Sequence, residues 1–300
     1  MVSLNLAESV LAEPPRRSMS QRLKSWLRRV LPLSWRKRLA VGIARQKWLP
    51  QRDWFAVELI RDMALVDTAE YHRFLWGHHL GYARTYEIEE RFGEERIHPS
   101  RMILFDELHG VLNGRSKTIK SVLEVGCSMG YNLRYLEERV YPWAKIVDGI
   151  DIDGYAIQSG AGHLAQLGSR IRLQQADMLQ LPSVFSGIRY DLIICAGVLM
   201  YVTEEEAQRA VTTMLERSNG TVALAGLAHP DRDNATLTYS VPRETDQSFI
   251  HNLDRMVERG GGRVIARRWD GARQIKGNSI YFVFAEPGLS PGLKSPAHGE

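Results

Sequence analysis

The stretch SVLEVGCSMGYNLRYLEE, residues 121–138, constrains the fold more than any other: a short apolar run, a turn carrying Gly126 and Gly130, then a helical pattern. Strand, turn and helix in that order open a βα unit. Such a turn lets a ligand approach bare backbone where the unpaired N–H groups of a helix N-terminus gather. A dinucleotide fingerprint needs glycine at the first, third and sixth positions, and here those are Gly126, Ser128 and Tyr131. The Glu124 carboxylate beside the turn would also repel a pyrophosphate. It suits a cation instead, such as an α-ammonium or a sulfonium group.

After Gly114 short apolar runs alternate with helical patterns, the signature of a parallel sheet built from βα units. Strands are expected at Ser121–Val125, Ile146–Ile150, Arg170–Gln174, Tyr190–Cys195 and Thr221–Ala225, with helices after the first, second and fourth. Thr203, with Glu206 three residues on, opens the last of these helices as a capping box. A polar loop, HPDRDNATLTYSVPRET, precedes a helix expected at Gln247–Arg259, and two more strands are expected at Arg263–Trp269 and Ser279–Ala285. Upstream, residues 54–112 are helical in pattern and rich in aromatics. The division expected is a basic arm (1–50), a helical cap (51–115), an α/β domain (116–286) and a disordered Pro- and Gly-bearing tail (287–300).

The run Glu124-Val-Gly126-Cys-Ser128-Met-Gly130 resembles the first motif of class I S-adenosylmethionine-dependent methyltransferases, and three further stretches agree in order. The resemblance, over about residues 118–286, implies a Rossmann-like seven-stranded α/β sheet preceded by the helical subdomain and the basic arm. It implies that Asp151, beside Ile152 in GIDID, holds the two ribose hydroxyls of S-adenosyl-L-methionine. It further implies that Asp177 in QADML reads the adenine amino group, that Met178 packs by the ring, and that Ala196–Met200 in YDLIICAGVLMYV form the floor. A bidentate carboxylate suits two neighbouring hydroxyls. Two departures stand out. Ser128 replaces the middle glycine usual in the motif, which a backbone of negative φ would tolerate. Met200 stands where many members have His.

The phrases GCSMGYNLRYL and FLWGHHLGYARTYE are similar to methylases of bacterial surface-sugar pathways of the pseudaminic acid type. That likeness implies that the helices around Trp76–Arg84 close over the cofactor, with Tyr82 and Arg84 contacting its carboxylate. Methyl transfer to a hydroxyl needs alignment and one base. His229, after the fifth strand at the sheet's ligand-binding edge, is the best-placed base, against the alternative of a loop histidine without a catalytic role. His79 is a second candidate, since only one of His78 and His79 can face a pocket, although a structural role is the favoured reading of each; His251 reads as packing or exposed. No acidic set of recognisable metal-ligating spacing follows the fourth strand, so no metal is expected.

The net charge of +4 hides an asymmetry: eleven Lys and Arg and no Asp or Glu lie between Arg16 and Lys47, leaving −7 for the rest. Within that arm Leu23, Trp26, Leu27, Val30 and Leu31 recur at helical spacing, and after Pro32 a second stripe follows at Trp35, Leu39 and Ile43. An anionic membrane surface fits residues 16–47 best, with nucleic acid the rival and a solvated charged helix of no special function the third reading. At 44% hydrophobic residues the chain is globular, not disordered throughout. Its two cysteines in apolar runs, the absence of a signal-like N-terminus and the lack of a spanning apolar stretch place it in the cytoplasm, peripheral at the inner face of the membrane if the arm docks there. Three functions are open to such a chain: methyl transfer to a small or lipid-linked sugar hydroxyl, methyl transfer to RNA captured by the arm, and cofactor binding without catalysis.

Overall fold

The computed structural model describes residues 26–46, 48–49, 51–81, 92, 97–243, 246–275 and 278–288, of which 272–275 and 278–280 by backbone alone. Tyr82, Arg84, the first part of the arm and most of the expected tail lie outside the described residues. The chain forms two compact units, residues 1–60 and 61–300.

In the first unit, residues 26–30 are helical, Pro32 interrupts, and α1 (Leu33–Ala44) and α2 (Arg52–Ile60) follow. The buried row of α1 is Arg36, Ala40 and Ala44, not the Trp35, Leu39 and Ile43 stripe. Small alanines bring α1 close to the buried Ala56, Leu59 and Ile60 of α2, and the Arg36 guanidinium donates to the Leu59 carbonyl at 2.8 Å. That bond pairs one donor of a buried cation, which packing alone would not tolerate.

The second unit is built on a seven-stranded sheet: β1 (Ser121–Val125), β2 (Ile146–Asp151), β3 (Arg172–Gln175), β4 (Tyr190–Ala196), β5 (Ser218–Leu227), β6 (Gly262–Ile275) and β7 (Asn278–Pro287). The strand order is β3-β2-β1-β4-β5-β7-β6, with β1 to β5 parallel and β7 antiparallel to both neighbours. Alternate residues feed the two faces. Leu123, Ile193, Val222 and Val283 join one core, and Val122, Ile194, Ala223 and Phe282 join the other. Both faces are covered, which is why these strands read as continuous apolar runs.

Helices flank the sheet: α3 (Thr68–Gly77), α4 (Pro99–Leu112), α5 (Tyr131–Tyr135, continued by a π-helical turn), α6 (Gly154–Gln166), α7 (Glu204–Glu216) and α8 (Leu253–Arg259). The capping box read from Thr203 and Glu206 opens α7. The helix expected at Gln247–Arg259 begins only at Leu253. Gln247 has φ +61°, which ends any helix there, and Phe249–Ile250 pairs antiparallel with Val241–Pro242. Asn252 then caps α8 by accepting the Arg255 N–H at 2.9 Å.

Candidate active site

The turn after β1 and the end of β2 are tied through one carboxylate. Asp151 Oδ2 accepts the Ser128 N–H at 2.7 Å and Oδ1 accepts the Asp153 N–H at 2.9 Å, while the Gly126 and Cys127 amides donate to the Ile150 carbonyl at 2.8 and 3.0 Å. Ser128 has φ +50°, contrary to the negative φ that its replacement of glycine suggested. The bond from its amide to Asp151 offsets a left-handed conformation that costs a non-glycine residue of order 1 kcal/mol. Any side chain at Gly126 is strained. The glycine has φ +78°, and a Cβ there would stand 2.1 Å from Val198 Cγ2.

Two acids here are displaced from ordinary carboxylate behaviour. Burial pushes Asp151 up to about 6, against the pull of the Asp153 and Ser128 amides. Burial likewise pushes Glu124 up to about 7, partly offset by the Asn132 bond and the Arg101 charge. Glu124 is 2% exposed and lies behind the cavity; its Oε1 accepts from Asn132 Nδ2 at 2.7 Å. Its Oε2, the Asn132 Oδ1 and the Arg101 Nε have no hydrogen-bond partner among the described residues.

A cavity of about 880 Å³, its mouth included, opens at the carboxyl edge of the sheet. Of the residues expected there, Gly126, Ser128, Asp151, Ile152, Asp177, Met178 and Ala196 line it. Glu124 and Gly130 stand behind the turn and do not. Neither proposed histidine base lines it. His229 sits in the loop after β5, its Nδ1 accepting the Asp231 N–H at 3.1 Å and its own amide donating to Asn234 Oδ1 at 2.7 Å. His79 is buried with φ +53°, and its Nδ1 meets Asp153 Oδ2 at 2.6 Å. Asp153 also caps α6 through the Tyr155 and Ala156 amides, so His79 fastens the exit of α3 to the start of α6. His251 is buried, bonded to the Leu199 carbonyl at 2.9 Å and the Ser240 hydroxyl at 2.7 Å, and supports the segment carrying Tyr201.

Sequence reasoning missed the residues that close the cavity from the helical side: His72, Arg73 and Trp76 of α3 and Arg101 of α4. Arg73 donates to Asp177 Oδ2 at 3.0 Å and to Glu206 Oε1 at 2.7 Å, bridging the ends of β3 and α7. The rings of His72 and Trp76 lie 4.9 and 5.5 Å from that of Tyr201. The i, i+4 spacing of His72 and Trp76 puts both on one helix face, a signal present in the sequence. Arg101, which donates to the Ala196 carbonyl, sits in no motif.

Residues 122–218 match a family model described as a methyltransferase domain. That segment of the chain is a methyltransferase domain. No curated protein matches its sequence. Among solved structures, the methyltransferase domain is similar to the magnesium protoporphyrin IX methyltransferase of Synechocystis PCC 6803 with bound SAH, at 15% identity and a TM-score of 0.52, over 74% of this chain and all (100%) of that one. The SAM-bound form of that enzyme aligns at 14% identity and TM-score 0.50, covering 74% and 98%. The cyclase SpnF aligns at 14% identity and TM-score 0.50, covering 66% and 86%. Likeness this distant establishes the fold, not the acceptor. Among the described residues no three His, Cys, Asp or Glu gather as a metal site requires, and no helix is long and apolar enough to cross a membrane.

Proposed function

We propose that the cavity binds S-adenosyl-L-methionine along the carboxyl edge of β1 to β4 and directs its methyl group to a hydroxyl of a small or lipid-linked sugar. The observation that carries this reading is Asp151, which already holds the turn after β1 and faces the cavity with lone pairs left for two ribose hydroxyls. The orphaned acceptor Asn132 Oδ1 on the cavity wall, with the Glu124 carboxyl behind it, matches an α-ammonium donor, and Arg101 matches a carboxylate. Asp177 keeps a second lone pair on each oxygen, beyond the Leu179 amide and Arg73, for the adenine amino group, and Ile152 and Met178 flank the ring.

When bound, the cofactor supplies a methyl carbon activated by its sulfonium. The protein's share is alignment and proton removal. His72 replaces His229 and His79 as the base: it lines the cavity, is 1% exposed, and burial holds its pKa below the ordinary value despite Asp246 and the Asp246 and Gln247 carbonyls. It is therefore neutral near pH 7 and able to accept a hydroxyl proton. The buried, free thiols of Cys127 and Cys195 fit a reducing compartment, so we place the enzyme in the cytoplasm.

The test is transfer of labelled methyl groups into extracted glycans, nucleotide sugars, lipids and RNA. Label in a sugar-bearing fraction, abolished in His72→Ala with S-adenosylhomocysteine binding retained, is expected. Label confined to RNA would replace this reading with RNA methylation.

A further inference from the structure

The first unit carries a feature that methyl transfer does not use. In α1 the residues turned inward are Arg36, Ala40 and Ala44, and the residues turned outward include the large apolar ones. Trp35 is 63% exposed and Leu33 and Leu39 are each 37% exposed; in the preceding helical turn Trp26 is 57% and Val30 54% exposed. A surface helix ordinarily buries its apolar stripe. Here the Arg36 bond to Leu59 fixes the helix the other way round.

Cations border this face. At roughly 100° per residue, Arg38 falls about 60° to one side of Trp35 and Leu39 about 40° to the other. Arg29, Arg38 and Arg45 are exposed and form no ion pair among the described residues. With no acidic residue between Arg16 and Lys47, nothing within the segment neutralises them.

We propose that the outward face of residues 26–45 docks the enzyme on an anionic lipid bilayer. Each residue type has a role there: Trp26 and Trp35 at the headgroup boundary, Val30, Leu33 and Leu39 in the acyl region, and the arginines against lipid phosphate with their stems along the apolar surface. RNA would use the arginines and stack on the indoles but leaves the aliphatic side chains without a partner.

The full chain is tested by flotation with phosphatidylcholine vesicles and with vesicles containing about 30% phosphatidylglycerol. Binding to the anionic vesicles is expected to exceed binding to the neutral ones by about tenfold or more, and to fall at least about tenfold between about 0.1 and 0.5 M salt. The double variants Trp26→Ser/Trp35→Ser and Arg38→Gln/Arg45→Gln should each lose about tenfold in vesicle partitioning, with unchanged melting temperature and S-adenosylhomocysteine affinity. These positions are exposed, so folding is spared, and the cofactor readout separates this surface from the active-site reading. Failure to float with anionic vesicles, wild-type partitioning of either variant, or binding to single-stranded RNA without binding to vesicles would overturn the proposal.

Discussion

Replacing Asp151 by Ala is the sharpest perturbation of the cofactor site. The wild-type carboxylate accepts the Ser128 and Asp153 amides at 2.7 and 2.9 Å, and on the proposed binding mode its remaining lone pairs take the two ribose hydroxyls. Hydrogen bonds to a charged acceptor contribute about 1.5–3 kcal/mol each, so losing both ribose contacts weakens binding by about 3–6 kcal/mol, or roughly two to four powers of ten in Kd. The variant also leaves two amides without their acceptor. That costs about 1–3 kcal/mol of stability, and at about 2–4 °C per kcal/mol for a domain of this size the melting temperature drops several degrees. Asp151→Asn keeps one acceptor oxygen and loses the charge, and should fall between. Isothermal titration with S-adenosylhomocysteine at pH 8, where Asp151 is ionised, measures the binding loss, and a thermal melt shows that the variant is folded. A folded Asp151→Ala protein whose Kd lies within about threefold of wild type refutes the reasoning, because no other ribose acceptor is invoked.

The raised carboxyls predict pH effects of opposite kind for binding and stability. With Asp151 at about 6, the ionised fraction falls about tenfold between pH 7 and pH 5, and S-adenosylhomocysteine affinity should fall with it; Asp151→Asn should flatten that profile. Glu124, at about 7 in the fold against 4.5 ordinarily, binds its proton more tightly folded than unfolded, so its charge destabilises the fold as pH rises through 7. Denaturant titrations should show Glu124→Gln gaining on wild type between pH 5 and 8, by up to about 3 kcal/mol, and a constant difference would contradict the assignment. Gly126→Ala should lose about tenfold or more in S-adenosylhomocysteine affinity, and adding Val198→Ala should recover part of it because the clash is with that side chain. Arg73→Gln frees α3 from Asp177 and Glu206; stopped-flow binding should show S-adenosylhomocysteine association and dissociation both rising about tenfold with Kd shifted less than about threefold.

The sheet was legible because parallel strands covered on both faces print as apolar runs, and the Gly126–Gly130 turn because its backbone path demands glycine at Gly126. Ser128 was not, since its positive φ is stabilised by a carboxylate 23 positions away. The false start of a helix at Gln247 has the same origin: Phe249 and Ile250 pair with Val241 and Pro242, a contact no local pattern encodes. His229 looked well placed from chain order, yet its imidazole closes a turn on the Asp231 amide. Arg73 and Arg101 enter the site from a helical region whose sequence says that helices form and not which face meets the sheet. In α1 the apolar stripe was legible and its direction was not, because the buried row is set by alanine packing and by one bond from Arg36 to Leu59.

On the proposed binding mode the ligand lies on Asp151 with its adenine toward Asp177 and Met178. A crystal structure of the enzyme with S-adenosylhomocysteine tests it most directly. Both ribose hydroxyls are expected within hydrogen-bond distance of the Asp151 carboxylate and the α-ammonium group beside Asn132; a ribose bound elsewhere, or a cavity empty at saturating ligand, would contradict this placement.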